Sequence, residues 1–200
     1  MKQIFNRGHF KNYRIEERYF SDVEGRSRVL LEGHEISTKT KVFLSHKHDD
    51  LEDLKGLIGF LEKEYDVQVY IDSMDKEMQN KQTDGKTALR IKEVIKNSDK
   101  FILLATDKAV ESPWCNWELG FGDAHKYREN IAVFPFKEPQ LTEKDYKGHE
   151  YIAIYPVITY YEGTEKYKDG TPIKKGYYIR YKENGRCYPT SLKEWLKKKN

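Results

Sequence analysis

The feature that most constrains this chain is the alternation, between Lys41 and Lys137, of short apolar runs with stretches of helical period. KVFLS at Lys41–Ser45 is brief and mostly apolar, the pattern of a strand covered on both faces. Leu51, Leu54, Leu57, Ile58 and Leu61 then recur at spacings that line one helical face, and Asp49 or Asp50 stands where a cap would. VQVYID, Val67–Asp72, reads as a second strand from its β-branched content. Ser73–Lys86 is polar, lacks an apolar period and contains Asp84-Gly85, so it reads as a loop longer than most connections, a kind that often carries function. Thr87 is placed to cap a helix with Ala88, Ile91, Val94 and Ile95 as its buried stripe. Phe101–Ala105 is the third strand, and Ser112-Pro113 opens a helix running from Trp114 towards Tyr127. Ile131–Phe136 is the fourth strand and Tyr151–Tyr160 a fifth, with Pro156 assigning it to an edge or a bulge. Such alternation predicts an α/β fold with a doubly wound parallel sheet and helices on both faces.

Two further units flank this core. Tyr177–Tyr181 and Arg186–Tyr188 bracket Glu183-Asn184-Gly185, a hairpin signal, and Ser191 with Glu194 forms a capping box for a last helix carrying Leu192, Trp195 and Leu196. Residues 1–40 mix charges with Phe5, Phe10, Tyr13, Tyr19 and Phe20 without a clean period, which reads as an arm packed on the domain or on a partner. The expected division is an arm over 1–40, a domain over 41–160 and a hairpin-and-helix extension over 161–200.

Composition limits the function classes. The mean hydropathy of −0.88 and a charged fraction of 34% describe a very polar surface, and no apolar run approaches the roughly 18 residues that span a bilayer. The start, MKQIFNRGHF, lacks the apolar stretch of a secretory signal, so the expectation is a cytoplasmic chain without membrane contact. Cys115 and Cys187 form neither a CxxC pair nor a disulfide framework, which agrees with a reducing compartment. A net charge of +3 is too small to argue for nucleic acid. Residues 162–200 hold 11 basic and 5 acidic side chains, a net +6 that leaves −3 elsewhere, and they read as a lysine-rich edge hairpin.

In a doubly wound sheet, ligands bind at the carboxyl ends of the strands. The residues there are Ser45, His46, Lys47 and His48, then Asp72–Lys76, then Thr106 and Asp107. The helix opened by Ser112 starts on the same side with Trp114, Cys115, Trp117 and Glu118, and Trp114 and Glu118 lie four apart on one helical face. An indole with a carboxylate suits a flat cationic ring beside sugar hydroxyls. The plain alternative makes Trp114 and Trp117 core residues and Glu118 a helix-start acid. His46-Lys47-His48-Asp49-Asp50 also offers an H-x-H-x-D pattern like that of metallo-β-lactamases, but Leu51 stands where their next histidine would be, and His125 and His149 are poorly placed to complete a zinc site. The expectation is therefore no metal. Neither a P-loop nor GxGxxG is present, and Cys115 has no base assigned by sequence.

Taken together, KVFLSHKHD at Lys41–Asp49, VYID at Val69–Asp72, SDKFILLA at Ser98–Ala105 and SPWCNWELG at Ser112–Gly120 resemble the TIR (Toll/interleukin-1 receptor) domain, in the bacterial type found in antiphage systems such as Thoeris. The resemblance runs from Lys41 to Lys137 and is carried above all by W-x-x-x-E at the start of the third helix. It implies a flavodoxin-like fold and NAD+ glycohydrolase or ADP-ribosyl cyclase activity. NAD+ would be the substrate, with no resident cofactor. Glu118 would be the catalytic glutamate, and Ser45, His46, Lys47, Asp72, Ser73 and Trp114 would bind NAD+. Residues 73–86 would be the family's BB loop, through which neighbouring domains associate, although Met78-Gln79-Asn80 stands where a proline is usual. The product would be linear, cyclic or conjugated ADP-ribose, read by a separate effector. The alternatives from other classes are a non-catalytic TIR scaffold and a nucleoside deoxyribosyltransferase-like enzyme.

Overall fold

The computed structural model describes residues 1–33, 37–72, 85–126, 128–183 and 186–198, the side chains of residues 182, 183, 186 and 187 excepted. In chain order the elements are β1 (Phe5–Asn6), α1 (Glu17–Leu31), β2 (Lys41–Ser45), α2 (Leu51–Tyr65), β3 (Gln68–Ile71), α3 (Gly85–Asn97), β4 (Lys100–Ala105), α4 (Asp107–Val110) and α5 (Pro113–Lys126). They continue with β5 (Ile131–Lys137), α6 (His149–Ile154), β6 (Val157–Tyr161), β7 (Gly176–Glu183), β8 (Arg186–Ser191) and α7 (Leu192–Lys197). The sheet runs β3-β2-β4-β5-β6-β7-β8. Its first five strands are parallel in the flavodoxin-like order, with the topological switch between β2 and β4. The hairpin of β7 and β8 then extends the same sheet in antiparallel fashion.

The apolar runs bury on both faces because each face has its own core. Val42, Leu44, Ile102, Leu104 and Phe134 meet α2 and α7 on one side, whereas Phe43, Phe101, Leu103 and Val133 meet α3 and α5 on the other. Period-2 alternation within each strand sends neighbouring side chains to opposite layers.

Four expectations are corrected. Residues 1–40 contain a 15-residue helix, α1, whose Phe20 and Val23 join the first core while Leu30 joins the second. It wraps the β3 edge, where Ser27 Oγ donates to the Ile71 carbonyl at 2.9 Å and Arg26 Nη1 to the Val69 carbonyl at 3.1 Å. Splitting its apolar residues between two layers is what hides its period. Thr87 does not cap α3, because the helix begins at Gly85; residues 73–84 of the proposed loop lie outside the described residues. The run 151–160 divides into α6 and β6, and β6 is interior, between β5 and β7. Pro156 precedes that strand, where its missing N–H costs no ladder bond, and its carbonyl accepts from Val133 N at 2.8 Å. Asp50 occupies the N-cap position of α2 without a side-chain cap bond, because its carboxylate is used elsewhere.

The arm docks by strand pairing and by close backbone approach. Phe5 and Asn6 pair with Phe136 and Lys137 of β5, and Lys2 bridges Tyr160 of β6, so the arm lies against the far ends of both strands. Along α2, a Cβ at Gly59 would lie 1.9 Å from the Tyr13 carbonyl oxygen, so glycine is required for this contact. Phe10 stacks on Phe60 with ring centroids 4.1 Å apart.

Candidate functional site

The site is built where β2 ends and α5 begins. The buried β2 residues Val42, Phe43 and Leu44 place Ser45, also buried, at the strand's carboxyl end, beside the switch point. Ser112 starts α5 by accepting Cys115 N at 3.4 Å, and the first turns of that helix meet the end of β2 through Cys115 and Glu118. Glu118 is 1% exposed and accepts the Ser45 hydroxyl at 2.5 Å. A charge-assisted bond of this kind fixes the carboxylate in one orientation.

Three other links tie strand ends to this helix. Trp114 Nε1 donates to Asp72 Oδ2 at 3.2 Å, so the indole is anchored to the end of β3. Cys115 Sγ donates to the His46 carbonyl at 3.3 Å, so α5 also holds the loop after β2. Burial, reinforced by the nearby Glu118 charge, pushes the Cys115 thiol up to about 12. The thiol is therefore protonated at neutral pH and serves as a donor, not as a nucleophile. Trp114 and Trp117 are half-buried and stacked on one another at 4.7 Å, and Trp117 continues to Phe121 at 6.1 Å, an aromatic ladder along the helix flank. Both indoles pack against the second core without being enclosed by it.

The residues singled out in the sequence fall into two joined pairs, Ser45 with Glu118 and Asp72 with Trp114, on neighbouring turns of α5. His46 is buried, with Nδ1 3.4 Å from the Leu44 carbonyl oxygen, and Lys47 is half-buried where its carbonyl accepts Asp50 N at 2.9 Å. Ser73 lies outside the described residues. Among the described residues, no group of three or more His, Cys, Asp or Glu side chains is arranged to hold a metal ion. Asp50, part of the H-x-H-x-D pattern, is instead bound by Thr106 and Arg7.

Sequence reasoning missed this last network. Thr106 Oγ1 donates to Asp50 Oδ2 at 2.6 Å while accepting Ala109 N at 3.0 Å, so one hydroxyl caps α4 and secures the loop after β2. The Thr106 cap had a local signal in its position before Asp107. Arg7 had none, since its partners lie more than 40 residues away.

The strand order and the position of the site at the switch point define an open, flavodoxin-like α/β domain. A family model described as "TIR domain" matches residues 42–165, more than half of the chain, and the chain belongs to the TIR domain family. That family includes NAD+-cleaving enzymes. Comparison with curated proteins gives no match. No helix among the described residues is long and apolar enough to cross a membrane.

Proposed function

We propose that this TIR-domain chain breaks the glycosidic bond between nicotinamide and ribose in NAD+, with Glu118 as the catalytic carboxylate. The observation that carries this reading is the buried Glu118 carboxylate, bonded to Ser45 at the carboxyl end of β2 and one helical turn beyond Trp114.

The chemistry suits a single carboxylate. Nicotinamide nitrogen is already cationic in NAD+, so the pair of the breaking C1′–N bond neutralises it and no general acid is needed for departure. Positive charge then develops on C1′ and the ring oxygen, and a preorganised carboxylate in a poorly solvated site stabilises it. Ser45 holds that carboxylate, Trp114 borders the departing ring with Asp72 fixing the indole, and His46, Lys47 and Ser73 bind the rest of the dinucleotide. Water capture of C1′, with loss of a proton, gives ADP-ribose; capture by a nucleophile of the same molecule gives a cyclic isomer. The reading extends to antiphage signalling, with a cyclic or conjugated product beside the linear one, a separate effector that reads it, and self-association through residues 73–86.

The test is incubation with NAD+ over a range of enzyme concentrations, followed by chromatography and mass spectrometry. Expected are nicotinamide release at a rate rising faster than linearly with enzyme, and a product with the mass of NAD+ less nicotinamide without added water. Hydrated product alone removes cyclisation, and a strictly linear rate removes self-association. No nicotinamide at any concentration leaves a scaffold, and exchange of deoxyribose between free bases identifies a deoxyribosyltransferase.

A further inference from the structure

We infer that Arg7, which lies outside the residues matched to the TIR family, is a positioning residue of this site: by clamping Asp50 it holds the loop carrying His46 and Lys47 in its binding position. The loop's role in binding NAD+ rests on the function proposed above; the clamp itself does not.

Asp50 is fully buried. Its Oδ2 has the Thr106 hydroxyl, and its Oδ1 has Arg7 Nη2 at 3.0 Å. A carboxylate out of water needs an opposite charge, because a neutral hydroxyl alone does not offset its desolvation. Burial pushes the Asp50 carboxyl up and the guanidinium opposes that shift. The other two guanidinium nitrogens are also committed, Nε to Asp53 Oδ2 at 2.7 Å and Nη1 to Glu138 Oε1 at 2.9 Å. Asp53 Oδ1 in turn accepts Gly8 N at 2.6 Å. A lysine, a point charge on a flexible stem, cannot make this fork.

The position of Arg7 is set by strand pairing. β1 is in register with the end of β5, and Arg7 N donates to the Lys137 carbonyl at 2.9 Å. From this fixed point the side chain reaches the Asp50 carboxylate at the start of α2, and the Asp50 backbone N–H closes the loop back on itself by donating to the Lys47 carbonyl at 2.9 Å. Thr106 ties the same carboxylate to the end of β4, on the ligand side of the sheet. Arg7 also neutralises the paired carboxylates Asp50 and Asp53 beside a loop that is to receive an anionic dinucleotide. Without it their charge would oppose binding.

The experiment uses full-length Arg7→Met, Arg7→Lys, Asp50→Asn and the double variant Arg7→Met/Asp50→Asn, each checked for folding by circular dichroism. Steady-state nicotinamide release should show KM for NAD+ raised about tenfold in Arg7→Met and about threefold in Arg7→Lys, with kcat within threefold. A merely structural role would lower apparent kcat through an inactive fraction and leave KM unchanged. In the Asp50→Asn background, Arg7→Met should raise KM by clearly less than its roughly tenfold effect in wild type, because the contact with Asp50 is already lost and only those with Asp53 and Glu138 remain to be removed. An unchanged KM in folded Arg7→Met, or losses that multiply in the double variant, overturns the inference; if Arg7→Met folds poorly, the KM of Arg7→Lys decides. Hydrogen exchange of the peptide covering residues 46–50 gives a readout without NAD+. It should quicken in Arg7→Met or Arg7→Lys while β7 is unaffected, and unchanged exchange refutes the clamp. A wild-type protein that releases no nicotinamide but whose loop protection still depends on Arg7 sinks the NAD+ reading and leaves the clamp standing.

Discussion

The two ends of the sheet each bury a charge, and they do so to different ends. At the carboxyl end Glu118 is 1% exposed, and at the amino end so is Lys100, the first residue of β4. Lys100 Nζ donates to Asn130 Oδ1 and lies 5.0 Å from the centre of the Trp195 ring, while Trp195 Nε1 donates to the Glu129 carbonyl at 2.6 Å. Asn130 Nδ2 returns to the Lys126 carbonyl at 2.9 Å, and Lys126 Nζ closes onto the carbonyls of Lys96 and Ser98. These polar groups join strand starts, helix ends and α7 to one another. A cavity of about 450 Å³ bordered by Asn130, Ile179, Tyr181 and Trp195 adjoins this cluster. Glu118, by contrast, is held from a strand end by Ser45 among the residues that lead into loops, at the switch point where open sheets take ligands. Burial of a charge is common to both ends; what sets Glu118 apart, in the function proposed above, is its place at the carboxyl end of the sheet.

Substitutions at the two ends should separate activity from stability. Glu118→Gln keeps the shape of the side chain and a partner for Ser45, so its thermal midpoint should stay close to wild type. Its nicotinamide release should fall by roughly a thousandfold, about 4 kcal/mol in barrier. Retention of more than about a tenth of the turnover, a loss under about 1.4 kcal/mol, would break the contrast at this end. Trp195→Ala should do the reverse. It removes a buried aromatic ring and a cation–π partner, and should cost about 3 kcal/mol in denaturant unfolding while the folded fraction keeps wild-type KM. A large KM change without loss of stability would show that the amino end takes part in binding.

The smallest expected effect is a pH dependence. Burial lowers the Lys100 ammonium to about 8 from its ordinary value of 10.5. Between those values the unfolded chain binds the proton more tightly, so stability rises with pH through this window and the penalty is fully present below about pH 8. Raising the pH from 7 to 10 should therefore stabilise wild type relative to Lys100→Met by about 2 kcal/mol in urea unfolding. A flat difference would mean that Asn130 and Trp195 compensate the burial in full, which would sharpen the view of this end as structural.

Much of this was legible in the chain because the signals are local. β2, β3, β4 and β5 follow from short apolar runs, α2 from the stripe of Leu54, Leu57, Ile58 and Leu61, and α5 from Ser112-Pro113. The last helix follows from Ser191, whose hydroxyl accepts Glu194 N at 3.2 Å. The placing of Ser45 at a strand end, and of Trp114 and Glu118 on one face of a helix, came from the same rules of period.

What the sequence determined by itself was the set of elements with a local pattern, continuous apolar runs for β2 to β5 and a single stripe for α2 and α3, and the helix that carries the indole and the carboxylate. Tertiary structure alone decided the rest. α1 serves two cores around an edge strand, so no single stripe marks it, and 151–160 holds a helix and a strand because Tyr151 and Ile152 pack on the second core from α6 while Val157 and Ile158 enter the sheet between β5 and β7. Asp50 looked like a cap and became the ion-pair partner of Arg7 and an acceptor for Thr106; Lys100 opens β4 and is buried under Trp195. A turn or a stripe is fixed by neighbours a few residues apart, which any window of sequence contains. A buried ion's partner is fixed by which distant strand ends meet, and that is known only once the sheet has closed.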